Sequence, residues 1–197
     1  MDEEHDLLQR TRSGDRRALD SLVARHLPAL RAFVSLRLGG LPTARESESD
    51  IVQSVCVELL RALPEFEYRG EGQFRLWLYT AALHKLNQRH KFHAAQQRDA
   101  RREVGLQPNT GEDEEKLACY ASFSSPSRVA MAREEVARIE AAFVQLPEHY
   151  REVITLARIV GLSQEELAQA TGRSVASSRN LLHRALVRLA GLLDDGS

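Results

Sequence analysis

The sequence predicts an all-α protein: two helical domains joined by a flexible acidic linker, with a helix-turn-helix in the second domain. Three observations carry that prediction. Ala, Leu, Arg and Glu dominate the composition and aromatics make up only 6%, which favours helix. Apolar residues recur at helical spacing on both sides of a break at 103–127. The stretch GLSQEELAQATGRSVASSRNLLHRALVRLAGLL, residues 161–193, holds two helix starts separated by a glycine turn.

The 197 residues can build one domain or two small ones with real cores. The net charge is −1, so affinity for nucleic acid would have to come from local patches. No apolar run approaches 18 residues and the acidic N-terminus has no signal-peptide pattern, which predicts a soluble, cytoplasmic protein without membrane insertion. Cys56 and Cys119 are far apart and form no CxxC, which argues against a disulfide framework or zinc site.

Taken in order, Glu3–Arg12 is a short amphipathic helix, stopped by Ser13-Gly14-Asp15. Arg16–Leu38 carries Leu19, Leu22, Val23, Leu27, Leu30, Val34 and Leu38 on one side, with Pro28 expected to bend or divide it. Gly39–Pro42 is a loop. Asp50–Leu63 shows two apolar rows, Ile51/Val55/Leu59 and Val52/Cys56/Leu60, which makes Cys56 a small core residue. Outside those rows stand Asp50, Gln53, Ser54, Glu58 and Arg61, a polar face with no evident partner in the chain. Such a face is ordinarily just solvated.

Residues 65–74 form a loop with Phe66, Tyr68 and Arg69. Phe74–Gln97 is then apolar nearly all round in its first half and basic in its second, with His84, Lys85, Arg89 and Lys91. From Arg69 to Arg102 eight Lys and Arg face only Glu71 and Asp99. Loop aromatics beside a basic helix suit unpaired nucleic acid, whose bases stack while its phosphates meet cations. Trp77, with Phe74, Leu78 and Ala81 on its face, is read as core. Of His84, His90 and His93 only the last two share a face, too few for a zinc site. No metal or cofactor is expected.

Residues 103–127 lose the apolar period and carry Glu103, Glu112, Asp113, Glu114 and Glu115 against Lys116, the composition of a mobile tether. Domains at 1–102 and 128–197 flank it. Helices resume at Ser127–Gln145, and Pro147 opens another at its first position.

Ser163 and Glu166 then form a capping box, with Leu162 and Leu167 as its staple. Gly172 can end that helix in the left-handed conformation, and Ser174 can cap the next. At about 100° per residue, Val175, Leu182, Ala185, Leu186, Leu189 and Leu193 share a face. Arg173, Ser177, Asn180, Arg184 and Arg188 lie opposite, flanked by Arg179 and His183. No Asp or Glu occurs from Leu167 to Leu193, while four Arg do. A one-sided basic stripe with Ser and Asn suits a major-groove reader; an ordinary amphipathic helix with a basic free face is the alternative.

In order and spacing these segments resemble the extracytoplasmic-function (ECF) sigma factors, two-domain promoter-specificity subunits of bacterial RNA polymerase. SDIVQSVCVELLRA (49–62) is similar to the family's core-binding helix, FRLWLYTAALHKL (74–86) to its promoter-melting and minus-ten segment, and 146–186 to its minus-thirty-five-binding domain. Ser54, Cys56, Leu60, His84, Ser178 and Leu181 depart from the family's usual residues.

The resemblance implies a bacterial sigma factor that binds core RNA polymerase and promoter DNA, with room for an anti-sigma factor as a further partner. It implies core docking through Asp50, Gln53 and Ser54. Phe66, Tyr68, Arg69, His84, Lys85, Arg89 and Lys91 would hold the minus-ten strand. Arg173, Ser177, Arg179, Asn180, His183, Arg184 and Arg188 would bind the minus-thirty-five duplex. In the family the acidic linker is placed in the polymerase's RNA-exit path; a solvated spacer is the alternative. No P-loop, nucleophile elbow or His/Asp/Ser arrangement is present, so no catalytic residue is expected and the chain is not read as an enzyme. Two other classes are a helix-turn-helix regulator that acts without being a polymerase subunit, and a helical adaptor or enzyme. The first leaves the Asp50/Gln53 face and the basic 69–102 segment without a role.

Overall fold

A computed structural model describes residues 3–38, 48–63, 66–67, 71–96, 110–123 and 132–194. The elements are α1 (Glu3–Arg12), α2 (Arg16–Leu38), α3 (Glu48–Ala62), α4 (Glu71–Gln96), α5 (Thr110–Tyr120), α6 (Ala132–Val144), α7 (Glu148–Ile154), a π turn at Thr155–Ile159, α8 (Gln164–Thr171) and α9 (Val175–Asp194). Among the described residues there is no strand, and no helix is long and apolar enough to cross a membrane. The chain divides into two compact units, Met1–Val34 with Pro42–Leu106 and Ser35–Leu41 with Gln107–Ser197.

In the first unit, Leu8, Leu22, Leu63 and Phe74 form a core cluster, against which Leu7, Phe66 and Trp77 pack. Trp77 is half-buried there, as its helix face implies. Asp15 caps α2 by accepting hydrogen bonds from the Arg17 and Ala18 amides at 2.9 and 3.2 Å. Pro28 does not divide α2, which runs through it as one helix. Leu22 on one side and Leu30, Ala32, Phe33, Val34 and Leu36 on the other are buried, so packing holds both halves in line. On α3, Ile51, Val52 and Val55 are buried, and Cys56 is half-buried with its thiol pKa pushed up by desolvation. The second apolar row stops short of expectation: Leu60 is 40% exposed.

The second unit buries Val136, Ile139, Ala142 and Phe143 of α6 with Val153 and Ile154 of α7 and the apolar stripe of α9. Pro147 occupies the N-cap of α7, one place before the expected first position. After Ile154 the ladder widens: the Val160 amide donates to the Thr155 carbonyl at 2.9 Å, five residues back. Arg138 ties the far end together, bonding buried Glu135 at 2.6 and 3.0 Å and donating to the Leu193 carbonyl at 2.8 Å. That last bond satisfies a carbonyl at the end of α9 that has no intrahelical partner.

A tether without structure across 103–127 is corrected at residues 110–120, which form α5. Glu112 and Asp113 lie in its first turn, where acids complement the positive end of the helix dipole. Its last residue, Tyr120, is fully buried and donates a 3.0 Å hydrogen bond to the buried carboxylate of Glu140 on α6. Tyr120→Phe should therefore lower stability by about 1–2 kcal/mol, because Glu140 loses one hydrogen-bond donor in a dry site. Urea unfolding of the full chain checks this.

Candidate nucleic-acid interface

The helix-turn-helix is built from local chemistry at each joint. Ser163 accepts from the Glu166 amide at 3.2 Å, and the Glu166 carboxylate accepts from the Ser163 amide at 2.8 Å, completing the capping box. Leu162 and Leu167, the staple pair, are both buried. Gly172 takes φ 63°, ψ 32°, and the Arg173 amide donates to the Ala168 carbonyl at 2.9 Å. Two residues later Ser174 caps α9, its hydroxyl accepting from the Ser177 amide at 3.2 Å.

A residue pair that pattern reasoning missed locks the two helices. Ser178, an unusual choice at an inward position, is completely buried, and its hydroxyl lies 3.2 Å from that of Thr171. Thr171 in turn donates to the Leu167 carbonyl at 2.7 Å. The clue was present: a serine on the apolar side of α9, seven residues after a threonine ending α8.

With Leu182, Ala185, Leu189 and Leu193 buried, α9 turns its other face outward. Ser177, Arg179, Asn180, His183, Arg184 and Arg188 on α9 are all exposed, as is Arg173 in the turn before it. None of the four arginines pairs with a carboxylate among the described residues. His183, Arg184, Val187, Arg188 and Gly191 line a shallow groove along the last turns. Val187 belongs to this surface although periodicity assigned it to neither face.

The first unit carries the remaining candidates less uniformly. Asp50 and Gln53 are exposed on α3 and Ser54 is half-buried. On α4, His84 is exposed, but Lys85 reaches across to Glu58 of α3 at 3.3 Å. Phe66 is not a free stacking face: its ring lies 5.4 Å from Phe74 and 4.6 Å from Trp77, between centroids. The apolar cluster beneath claims it by ordinary burial. Arg89 and Lys91 fall within α4, with side chains outside the described residues, and Tyr68 and Arg69 lie outside them altogether.

Residues 137–189 match the family model for sigma-70, region 4. Over most of its length the chain is similar to named RNA polymerase sigma factors. It is 34% identical to CnrH of Cupriavidus metallidurans, covering 94% of this chain and 91% of that one. It is 30% identical to the ECF sigma factor SigD of Mycobacterium tuberculosis, covering 90% and 77%. It is also 30% identical to the ECF sigma-E factor of Escherichia coli, covering 91% and 88%. A solved structure of CnrH in complex with the cytosolic domain of CnrY superposes with a TM-score of 0.62, at 29% identity and full coverage of both chains.

Proposed function

The chain belongs to the ECF RNA polymerase sigma factors, and from that premise we propose how its residues divide the work of promoter recognition and transcription initiation. The observation that carries the proposal is the α9 surface: Ser177, Arg179, Asn180, His183, Arg184 and Arg188 are exposed on a capped helix, and Arg173 is exposed in the left-handed glycine turn before it. An α-helix fits the major groove, where base edges carry a distinct donor and acceptor pattern. Arg173, Arg179 and Arg188 supply phosphate affinity and register; Ser177, Asn180, His183 and Arg184 reach for base edges of the minus-thirty-five element.

The first unit binds core polymerase through Asp50 and Gln53 on α3, with Ser54 beside them. The basic half of α4 and the segment before it, with His84, Arg89, Lys91, Tyr68 and Arg69, hold the unpaired minus-ten strand. Stacking and phosphate contacts there offset part of the cost of opening the duplex. Lys85 joins them only by exchanging Glu58 for a phosphate, and Phe66 supports the site from beneath. We place this activity in the cytoplasm, where core polymerase and promoter DNA are found, and assign it no covalent chemistry and no cofactor. CnrH has been solved with the cytosolic domain of CnrY; for this chain an anti-sigma factor is proposed as a further partner.

Replacing Asp50 and Gln53 together with alanine should weaken binding to core polymerase at least several-fold while leaving the melting temperature nearly unchanged, since both residues are exposed. Titration of labelled protein with core polymerase, beside a thermal melt, reads both quantities. A marked drop in melting temperature, or unchanged affinity, would reject the assignment.

A further inference from the structure

We propose that Val187 determines promoter specificity by packing against the 5-methyl group of a thymine in the upstream element. The proposal rests on the assignment of α9 as the duplex-binding helix. Val187 is 59% exposed, more than Val57, Leu60 or Val144, the other large exposed hydrophobics among the described residues. It stands seven residues after Asn180, about 20° away around the helix and about 10 Å along it. Arg184 and Arg188 flank it within the same groove. Gly191, one turn further, has open space where a side chain would stand.

The chemistry of the neighbours selects the occupant. An apolar protein surface laid over Val187 would bury the guanidiniums of Arg184 and Arg188 without partners, which is costly. Duplex DNA offers both kinds of contact in one place, phosphates and guanine edges for the arginines and a methyl group for the valine. The valine cannot bond a phosphate or a base edge, so its contribution can only be contact and exclusion of water. Its branched side chain has one strongly preferred rotamer in a helix, so little freedom is lost on contact.

The test uses holoenzyme assembled from core polymerase and the full chain, with a promoter it transcribes. Each thymine of the upstream element is replaced in turn by uracil, which removes the methyl group alone. At one position uracil should lower the affinity of the unaltered protein about fourfold, the effect of one buried methyl-sized group. Val187→Ala should bind the thymine promoter correspondingly more weakly and be indifferent to uracil there, while Val187→Ile should retain the discrimination. An equal uracil effect in Val187→Ala and unaltered protein, or no uracil effect at any position, would overturn the proposal. If Arg184→Ala still relaxes base preference in that case, only the Val187 contact fails; if it does not, the assignment of α9 fails as well.

Discussion

Truncating Leu189 to alanine should destabilise the second unit by about 2–5 kcal/mol, the cost of a lost side chain plus the cavity left behind. Leu189 is fully buried on the apolar stripe of α9. Recognition of the upstream element should fail with it, because the polar face is displayed only while the apolar face is docked. Leu189→Met, which conserves volume, should cost less than about 1.5 kcal/mol and keep recognition. Urea unfolding of the full chain and holoenzyme binding to promoter duplex read the two effects. A Leu189→Ala protein with unaltered stability would show that α9 does not depend on this packing.

The second large effect comes from a residue that touches no core. Arg184→Ala should cost about 1–3 kcal/mol at one promoter position and relax the preference there. Arg188, one turn on, should behave differently. Its loss should weaken all promoters about equally and lower the slope of affinity against salt by about 0.9, one phosphate contact. Both side chains are exposed opposite Leu182 and Leu189, so neither substitution should unfold the protein. Transcription from promoters varied through the upstream element, with binding across a salt series, separates the two. Equal, sequence-independent losses would reduce the surface to an electrostatic patch.

What was legible in the sequence is what neighbouring residues decide among themselves. The capping box at Ser163 and Glu166, the glycine C-cap at Gly172 and the apolar stripe of α9 each depend on residues within a few turns; both caps form where the spacing places them, and of the stripe Leu182, Ala185, Leu189 and Leu193 are buried while Val175 and Leu186 are half-buried. Features that need distant partners were not legible. Helix α5 looks like an acidic tether until Tyr120 meets Glu140 of α6. Pro28 reads as a break because the packing that spans it comes from elsewhere in the fold. Lys85 counts as a free cation in sequence, yet Glu58 on another helix engages it. Phe66 reads as a loop aromatic, and only the folded chain brings it against Trp77. Val187 was missed for another reason: an apolar residue on a polar stripe breaks the pattern used to assign faces. Such breaks are expected where function, not stability, selects the residue.

The most direct measurement is promoter-specific initiation by core RNA polymerase with and without this chain. Core alone should start no specific transcript, added protein should yield a run-off product from a defined start, and Asp50→Ala with Gln53→Ala should reduce the product by weakening assembly. Arg184→Ala should change which upstream sequences are used. A chain that binds duplex DNA tightly by itself, does not associate with core polymerase and leaves initiation unchanged would contradict the proposed function.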